Sequence, residues 1–122
     1  MYKVSLAIPI YNVSLFVERA LLSVLNQTYD NIEYLIVDDK GQDDSMDIVH
    51  RIIKDHPRGK DVRIIEHPYN IGLGATRNTA IDNAQGEYLF FMDSDDEIIP
   101  TCIEILVHKC KNILLISSQH HT

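Results

Sequence analysis

The sequence predicts an α/β fold, a Rossmann-like parallel sheet with helices on both faces. Three observations carry that expectation. Short apolar runs alternate with segments of helical period along the chain, in the pattern β-α-β-α-β-α-β-α-(β). The run Tyr88-Leu89-Phe90-Phe91-Met92 is apolar throughout, as for a strand buried on both faces of a parallel sheet. It ends abruptly in Asp93-Ser94-Asp95-Asp96, so carboxylates stand just past a strand's carboxyl end, where open α/β sheets bind ligands.

Each element has a local reason. Val4-Ser5-Leu6-Ala7-Ile8 is the first predicted strand, stopped by Pro9. Asn12 or Ser14 can cap a helix running to about Gln27, with Val17, Ala20, Leu21, Val24 and Leu25 as its apolar stripe. Tyr34-Leu35-Ile36-Val37 is the second strand, ending in Asp38-Asp39. After a loop from Gly41, Asp44 or Ser45 opens a helix that buries Met46, Val49, Ile52 and Ile53, and His56-Pro57-Arg58-Gly59 ends it. Val62 to Glu66 is the third strand. The loop Asn70 to Gly74 leads into a third helix reaching about Ala84, with Gly86 as the expected C-terminal cap. Pro100 suits the first turn of a fourth helix to about Lys111, and Ile113 to Ile116 reads as a fifth strand. With right-handed crossovers, a Rossmann-like strand order 3-2-1-4 sets the end of strand one beside Asp93 and Asp95.

The 122 residues suffice for one domain with a real core, and 45% hydrophobic with 24% charged residues is ordinary for a globular chain. A net charge of -7 argues against nucleic acid as a partner, which asks for a basic face. An acidic protein that handles phosphates needs cations to bridge them. No apolar run approaches the roughly 18 residues of a membrane span, and the N-terminus lacks a signal-peptide pattern. Cys102 and Cys110 lie roughly 12 Å apart along one predicted helix, too far for a disulfide. They read as thiols in a reducing compartment.

Several groups are candidates for chemistry. Asp93 and Asp95 straddle one residue, so both can face one hard cation such as magnesium, or work as a ligand and its supporting partner. The plainer reading is a solvated acidic turn opening a helix. Asp38 and Asp39 sit beside the same crevice, where a carboxylate can accept a hydrogen bond from a base imino group or a ribose hydroxyl; alternatively they only cap helix two. Tyr11 can stack on a planar base or pack over helix one. Gly72-Leu73-Gly74-Ala75-Thr76-Arg77 invites comparison with the dinucleotide motif G-x-G-x-x-G, but Arg77 stands where the third glycine belongs and the preceding strand is the third. Tight turning at the glycines, with Arg77 as a cation toward a diphosphate or an Asp cluster, is the simpler role; a surface arginine is the plainest. The six histidines are scattered and read as structural or solvated, with no zinc spacing among His and Cys.

Taken in order, Ile8-Pro9-Ile10-Tyr11-Asn12, Leu22 to Tyr29, Val37-Asp38-Asp39 with Asp43-Asp44-Ser45, Asn70-Ile71-Gly72 with Ala75-Thr76-Arg77-Asn78, and Phe91 to Asp96 resemble family 2 glycosyltransferases, inverting enzymes of the GT-A type. The likeness runs from about Lys3 to Leu106. It implies that the backbone from Pro9 to Tyr11 and the side chain of Asp39 hold the nucleotide base, with Asp38 beside them. It implies that Asp93 and Asp95 form a D-x-D element that contacts the ribose and holds Mg2+ or Mn2+ on the diphosphate, while Asn70, Gly72 and Arg77 shape the donor pocket. The implied activity is transfer of a sugar from a nucleotide donor, most often a UDP-sugar, to an acceptor hydroxyl with inversion.

Two features depart from the family pattern. Lys40-Gly41 follows the second motif where members commonly carry Gly-Ser or Cys-Ser. Members also usually run well past 200 residues, with the acceptor site and general base in the second half. The expectation is therefore that residues 1–122 are the nucleotide-sugar-binding part of a truncated GT-A domain. The base would lie beyond residue 122, and donor would be bound without transfer being completed by this chain alone. Expected partners are a nucleotide-sugar donor, a glycan or lipid-linked acceptor, and a second copy joined through apolar surface that the missing half leaves exposed. The expected location is cytoplasmic, with attachment of the full-length protein to the inner face of the membrane left open. Two other readings stay open: a non-catalytic nucleotide-sugar-binding module, and a receiver-type phospho-acceptor domain. The last asks for acids after strand one, an aspartate after strand three and a lysine after strand five, none of which is present.

Overall fold

The computed structural model describes residues 1–110. Four strands, β1 (Val4–Ile10), β2 (Ile32–Asp38), β3 (Val62–Glu66) and β4 (Tyr88–Phe91), form one sheet in the order β3-β2-β1-β4. Every neighbouring pair is parallel, with Val4 opposite Ile32 and Tyr88, and Tyr34 opposite Val62. This is the Rossmann-like order expected from the sequence. A receiver-type sheet would set β1 beside β3; here β3 pairs with β2, so that reading is overturned.

Helices α1 (Val17–Leu25) and α2 (Ser45–Asp55), with a fourth, α4, over residues 102–110, cover one face of the sheet; α3 (Leu73–Asn83) covers the other. The strand period of two assigns the faces. Val4, Leu6, Ile8 and Ile10 of β1 and Ile32, Tyr34 and Ile36 of β2 pack with Val17, Leu21, Val24, Val49, Ile52, Ile103 and Val107. The alternate residues meet α3 through a thinner layer of Ala7, Leu35 and Ala80. All seven residues of both β1 and β2 are buried, and apart from Ser5, Glu33 and Asp38 they are apolar or proline.

The structure corrects several local expectations. β1 runs through Pro9 instead of stopping there. Met92 N donates to Ala7 O, so the side of the ladder that Ala7 and Pro9 share faces β4, and the β1–β4 register ends at Ala7 and Phe91. Among the described residues, Pro9 thus lacks an N–H where no strand remains to receive it. α1 starts at Val17, with neither Asn12 nor Ser14 as its cap. The amides of Val13 and Ser14 donate instead to Ser45 Oγ (2.9 Å) and Asp43 Oδ2 (3.0 Å), from the loop that opens α2. Gly86 is not a helix cap, since α3 ends at Asn83 with extended Ala84 behind it. A side chain at Gly86 would lie 2.6 Å from Lys3 O and 2.8 Å from Ser5 N, so this glycine lets the chain graze β1 before β4 begins. β4 is half-buried, not buried on both faces, because among the described residues it forms the sheet's edge. The fifth strand expected at 113–116 lies outside the described residues.

Candidate functional site

All four strands run the same way, so their carboxyl ends and the loops that follow meet on one side of the sheet. Between them lies a cleft of about 490 Å3. The structure brings Pro9, Tyr11, Asp39, Asn70, Gly72, Asp93 and Asp95 together around it, as the sequence led one to expect. Val13, Leu73, Thr76 and Ser94 complete the lining and were not singled out beforehand. Thr76 is buried, with its hydroxyl donating to Leu73 O at 2.6 Å, the usual helix back-bond, so its polar atom is already satisfied within α3.

Asp39 organises one wall. It is 3% exposed and its carboxylate accepts four hydrogen bonds. His67 Nδ1 and Ile71 N reach Oδ1, each at 2.9 Å. Asn70 Nδ2 (2.8 Å) and Gly72 N (3.1 Å) reach Oδ2. Four donors saturate the lone pairs of a carboxylate. Burial pushes the Asp39 carboxyl up, but hydrogen bonds from His67, Ile71 and Gly72 outweigh it and hold the group below the usual range. The loop from 67 to 72 is thereby wrapped around one anion. Gly72 closes it at φ 96°, a conformation that other residues adopt only with strain, and α3 starts at the next residue.

The opposite wall is a tight acidic turn, in which Asp96 N donates to Asp93 O at 3.1 Å. Asp93, Asp95 and Asp96 are exposed, and each offers an oxygen within 4.8 Å of the others. Asp96 joins the pair named from sequence. The turn does not open a helix, since α4 starts only at residue 102. Among the described residues none of the three carboxylates is ion-paired. An all-oxygen donor set with uncompensated negative charge suits a hard divalent cation.

The segment behind the turn is bolted to α1. Gln27, 2% exposed, donates through Nε2 to Ser23 O (3.0 Å) and Ile99 O (2.7 Å), and accepts from Ile103 N at 2.9 Å. Ser23 Oγ accepts from Ile98 N at 3.2 Å. The Leu22–Tyr29 stretch thus has a structural role, fixing the chain that leaves the acidic turn.

Two residues grouped with the site stand apart from the lining. Asp38 and Asp39 are successive residues in extended chain, so their side chains leave opposite faces of the sheet. Asp38 accepts from Lys40 N at 3.0 Å and borders a separate small cavity with Asn12, Lys40 and Ser45. Arg77 is exposed on α3 and lies over the Phe91 ring, 5.4 Å from its centroid, one helical step away from the inward-facing Thr76. His67 is the converse case. Read as structural or solvated, it proves to be 5% exposed and bonded to the cleft's central carboxylate. No local signal in the sequence distinguishes it from the other histidines.

A family model described as Glycosyl transferase family 2 matches residues 5–113. The GalNAc(5)-diNAcBac-PP-undecaprenol beta-1,3-glucosyltransferase of Campylobacter jejuni is 31% identical over 109 residues, covering 89% of this chain and 35% of its own length. Residues 1–349 of TarS from S. aureus, solved with UDP, superpose with a TM-score of 0.78 at 28% identity, over 87% of this chain and 31% of that one. The mannosyltransferase PcManGT from Pyrobaculum calidifontis, solved with GDP-Man and Mn2+, gives a TM-score of 0.73 at 26% identity, over 79% of this chain and 28% of that one. Two further curated glycosyltransferases are spanned over 37% and 28% of their length, so the chain corresponds to about a third of such relatives. The match to the family model leaves little of the sequence outside it, and the chain belongs to glycosyltransferase family 2, in the GT-A fold.

Proposed function

We propose that this chain binds the nucleoside diphosphate portion of a sugar donor in the cleft between β1 and β4, as the donor-binding part of an inverting glycosyltransferase. The observation that carries the reading is the convergence on one cleft of about 490 Å3 of Tyr11, the Asp39-bound loop 70–72 and the acidic turn Asp93–Asp95.

The roles follow from placement. Tyr11, 45% exposed, offers a ring face against which a base can stack beside Pro9. Asp39 keeps the Asn70–Gly72 wall in shape. A base imino group that reaches Asp39 takes the place of the Asn70 amide, the one donor of the four that is an exposed side chain and not backbone or a buried ring. Asp93 and Asp95, with Asp96 beside them, hold a divalent cation, Mg2+ or Mn2+, against the diphosphate. Such a cation supplies Lewis-acid stabilisation of the charge that develops on a departing nucleoside diphosphate. Arg77 and Asp38 act from the surroundings, Arg77 as a cation near the β4 end and Asp38 as an anchor of the Lys40 turn. A uridine nucleotide is the preferred donor class, in keeping with the UDP found in TarS. A glycan or lipid-linked hydroxyl is the acceptor class, in keeping with the undecaprenol-linked substrate in the name of the C. jejuni relative.

No residue of this chain is assigned as the base that deprotonates the acceptor. Because the chain spans about a third of its relatives, binding without transfer is the activity proposed for it alone. Calorimetry with UDP, GDP and ADP, with and without Mn2+, tests the reading. UDP binding that depends on Mn2+ and is lost in Asp93→Ala and Asp95→Ala supports it; binding indifferent to the metal and to both substitutions refutes it.

A further inference from the structure

We propose that His67 is a positioning residue of the donor site, whose Nδ1–H holds the Asp39 carboxylate and, through it, the 70–72 wall of the cleft. The inference rests on the donor-binding reading above for its functional consequence, but not for its geometry.

The assignment follows from hydrogen-bond capacity. Asp39 Oδ1 lies 2.9 Å from His67 Nδ1, and the carboxyl is held below its ordinary range, so it is an acceptor only. Nδ1 therefore carries the proton. The other ring nitrogen faces Thr79 Oγ1 at 2.7 Å, and that hydroxyl is also 2.9 Å from Ala75 O. With the hydroxyl proton on Ala75 O, Nε2 donates as well and the ring is an imidazolium. With the proton turned toward Nε2, the ring is neutral. Thr79 serves either state, and Nδ1–H faces Asp39 in both. The Nδ1–H bond to Asp39 is thus common to both arrangements.

The position also explains why a histidine is needed. His67 leaves the end of β3, its own N–H bonded to Asp38 O at 2.9 Å, so its ring spans from the β2 end to α3. Both the ring and Asp39 are almost wholly buried, at 5% and 3% exposure. An apolar ring of the same size would leave one lone pair of the buried Asp39 carboxylate without its donor, and the carboxylate would be free to turn away from Ile71 N. The residues that would lose their anchor, Asn70 and Gly72, line the cleft.

Three variants separate positioning from filling. His67→Leu removes the donor. His67→Asn returns an amide N–H near the place of Nδ1, and His67→Gln puts one near Nε2. All three are first checked for a cooperative thermal transition. In titrations of the chain with UDP and Mn2+, His67→Leu and His67→Gln are expected to weaken binding about tenfold or more, a loss of about 1.4 kcal/mol. His67→Asn is expected to recover most of that loss. Equal binding by the Asn and Gln variants overturns the proposal. Long-range 1H–15N correlation spectra of the unsubstituted chain read the ring directly and need no ligand. A protonated Nδ1 supports the proposal, and a neutral ring protonated at Nε2 alone overturns it. If the unsubstituted chain fails to bind UDP with Mn2+, the donor-binding reading falls, and the spectra still decide the role of His67.

Discussion

Replacing Gln27 by Leu tests whether the Leu22–Tyr29 stretch positions the acidic turn. Gln27 Oε1 accepts from Ile103 N, one of the first amides of α4, which has no partner within its own helix. Leucine leaves that N–H buried and unpaired, at a cost of about 1–3 kcal/mol. The two bonds from Nε2, to Ser23 O and Ile99 O, add about 0.5–1.5 kcal/mol each. Ile99 O keeps a second donor, Cys102 N at 3.1 Å, so its share lies at the low end. The apolar gain of a buried leucine returns part of the loss, leaving a net destabilisation of about 2 kcal/mol. Equilibrium urea denaturation reads it: with a slope of about 1–2 kcal/mol per molar, the midpoint falls by about 1–2 M. Hydrogen exchange at Ile98 and Ile103 should accelerate more than exchange in β1 and β2, because the bolt is local. A midpoint shift worth less than about 0.5 kcal/mol, or exchange that rises uniformly, would refute the reasoning.

Other outcomes follow from the same structure. Asp39→Asn turns two of four acceptor positions into donors that face donors, and should cost about 3–5 kcal/mol in denaturation experiments. Because the folded Asp39 carboxyl titrates below its ordinary value of 3.8, its contribution is complete above that value and is lost as pH falls through the folded one. The Asn variant should therefore show a shallower loss of stability below about pH 4, and an unchanged acid limb would count against the clamp. Glu33 behaves alike at the other end of the sheet. Burial raises its carboxyl, but hydrogen bonds from Ser5, Gln85 and Arg63 bring it below its usual range, so Glu33→Gln should also blunt the acid limb without altering UDP binding, as calorimetry can check. Gly86→Ala should destabilise by about 1–3 kcal/mol by crowding Lys3 O and Ser5 N, read as a lowered thermal midpoint. Leu73 and Ile81 stand 51% and 61% exposed on α3, so the chain should self-associate with rising concentration in light scattering; a monomer at every concentration removes that expectation.

The sheet was legible because its signals are local and repeated. Apolar runs of strand length separated by helical stripes dictate parallel strands, and the Rossmann-like order expected with right-handed crossovers is the one that the structure adopts. Five segments in family order carried the family itself, and the acids after β4 marked where a cleft would open. What stayed hidden depended on which way a side chain leaves the backbone, or on partners far away in the chain. Asp38 and Asp39 look equivalent as letters, yet the pleat sends one toward the α1–α2 side and the other into the cleft. Pro9 looks like a stop until the β1–β4 ladder is seen to end before it. Gly86 looks like a cap until the chain is seen to brush Lys3 and Ser5, more than eighty residues earlier. His67 carries no mark in its own neighbourhood, because its meaning lies in Asp39 and Thr79, which the fold alone brings to its two nitrogens. Periodicity is a property of neighbours in sequence and can be read from them. The matching of a donor to an acceptor across the sheet is a property of distance in space, and only the packed chain decides it.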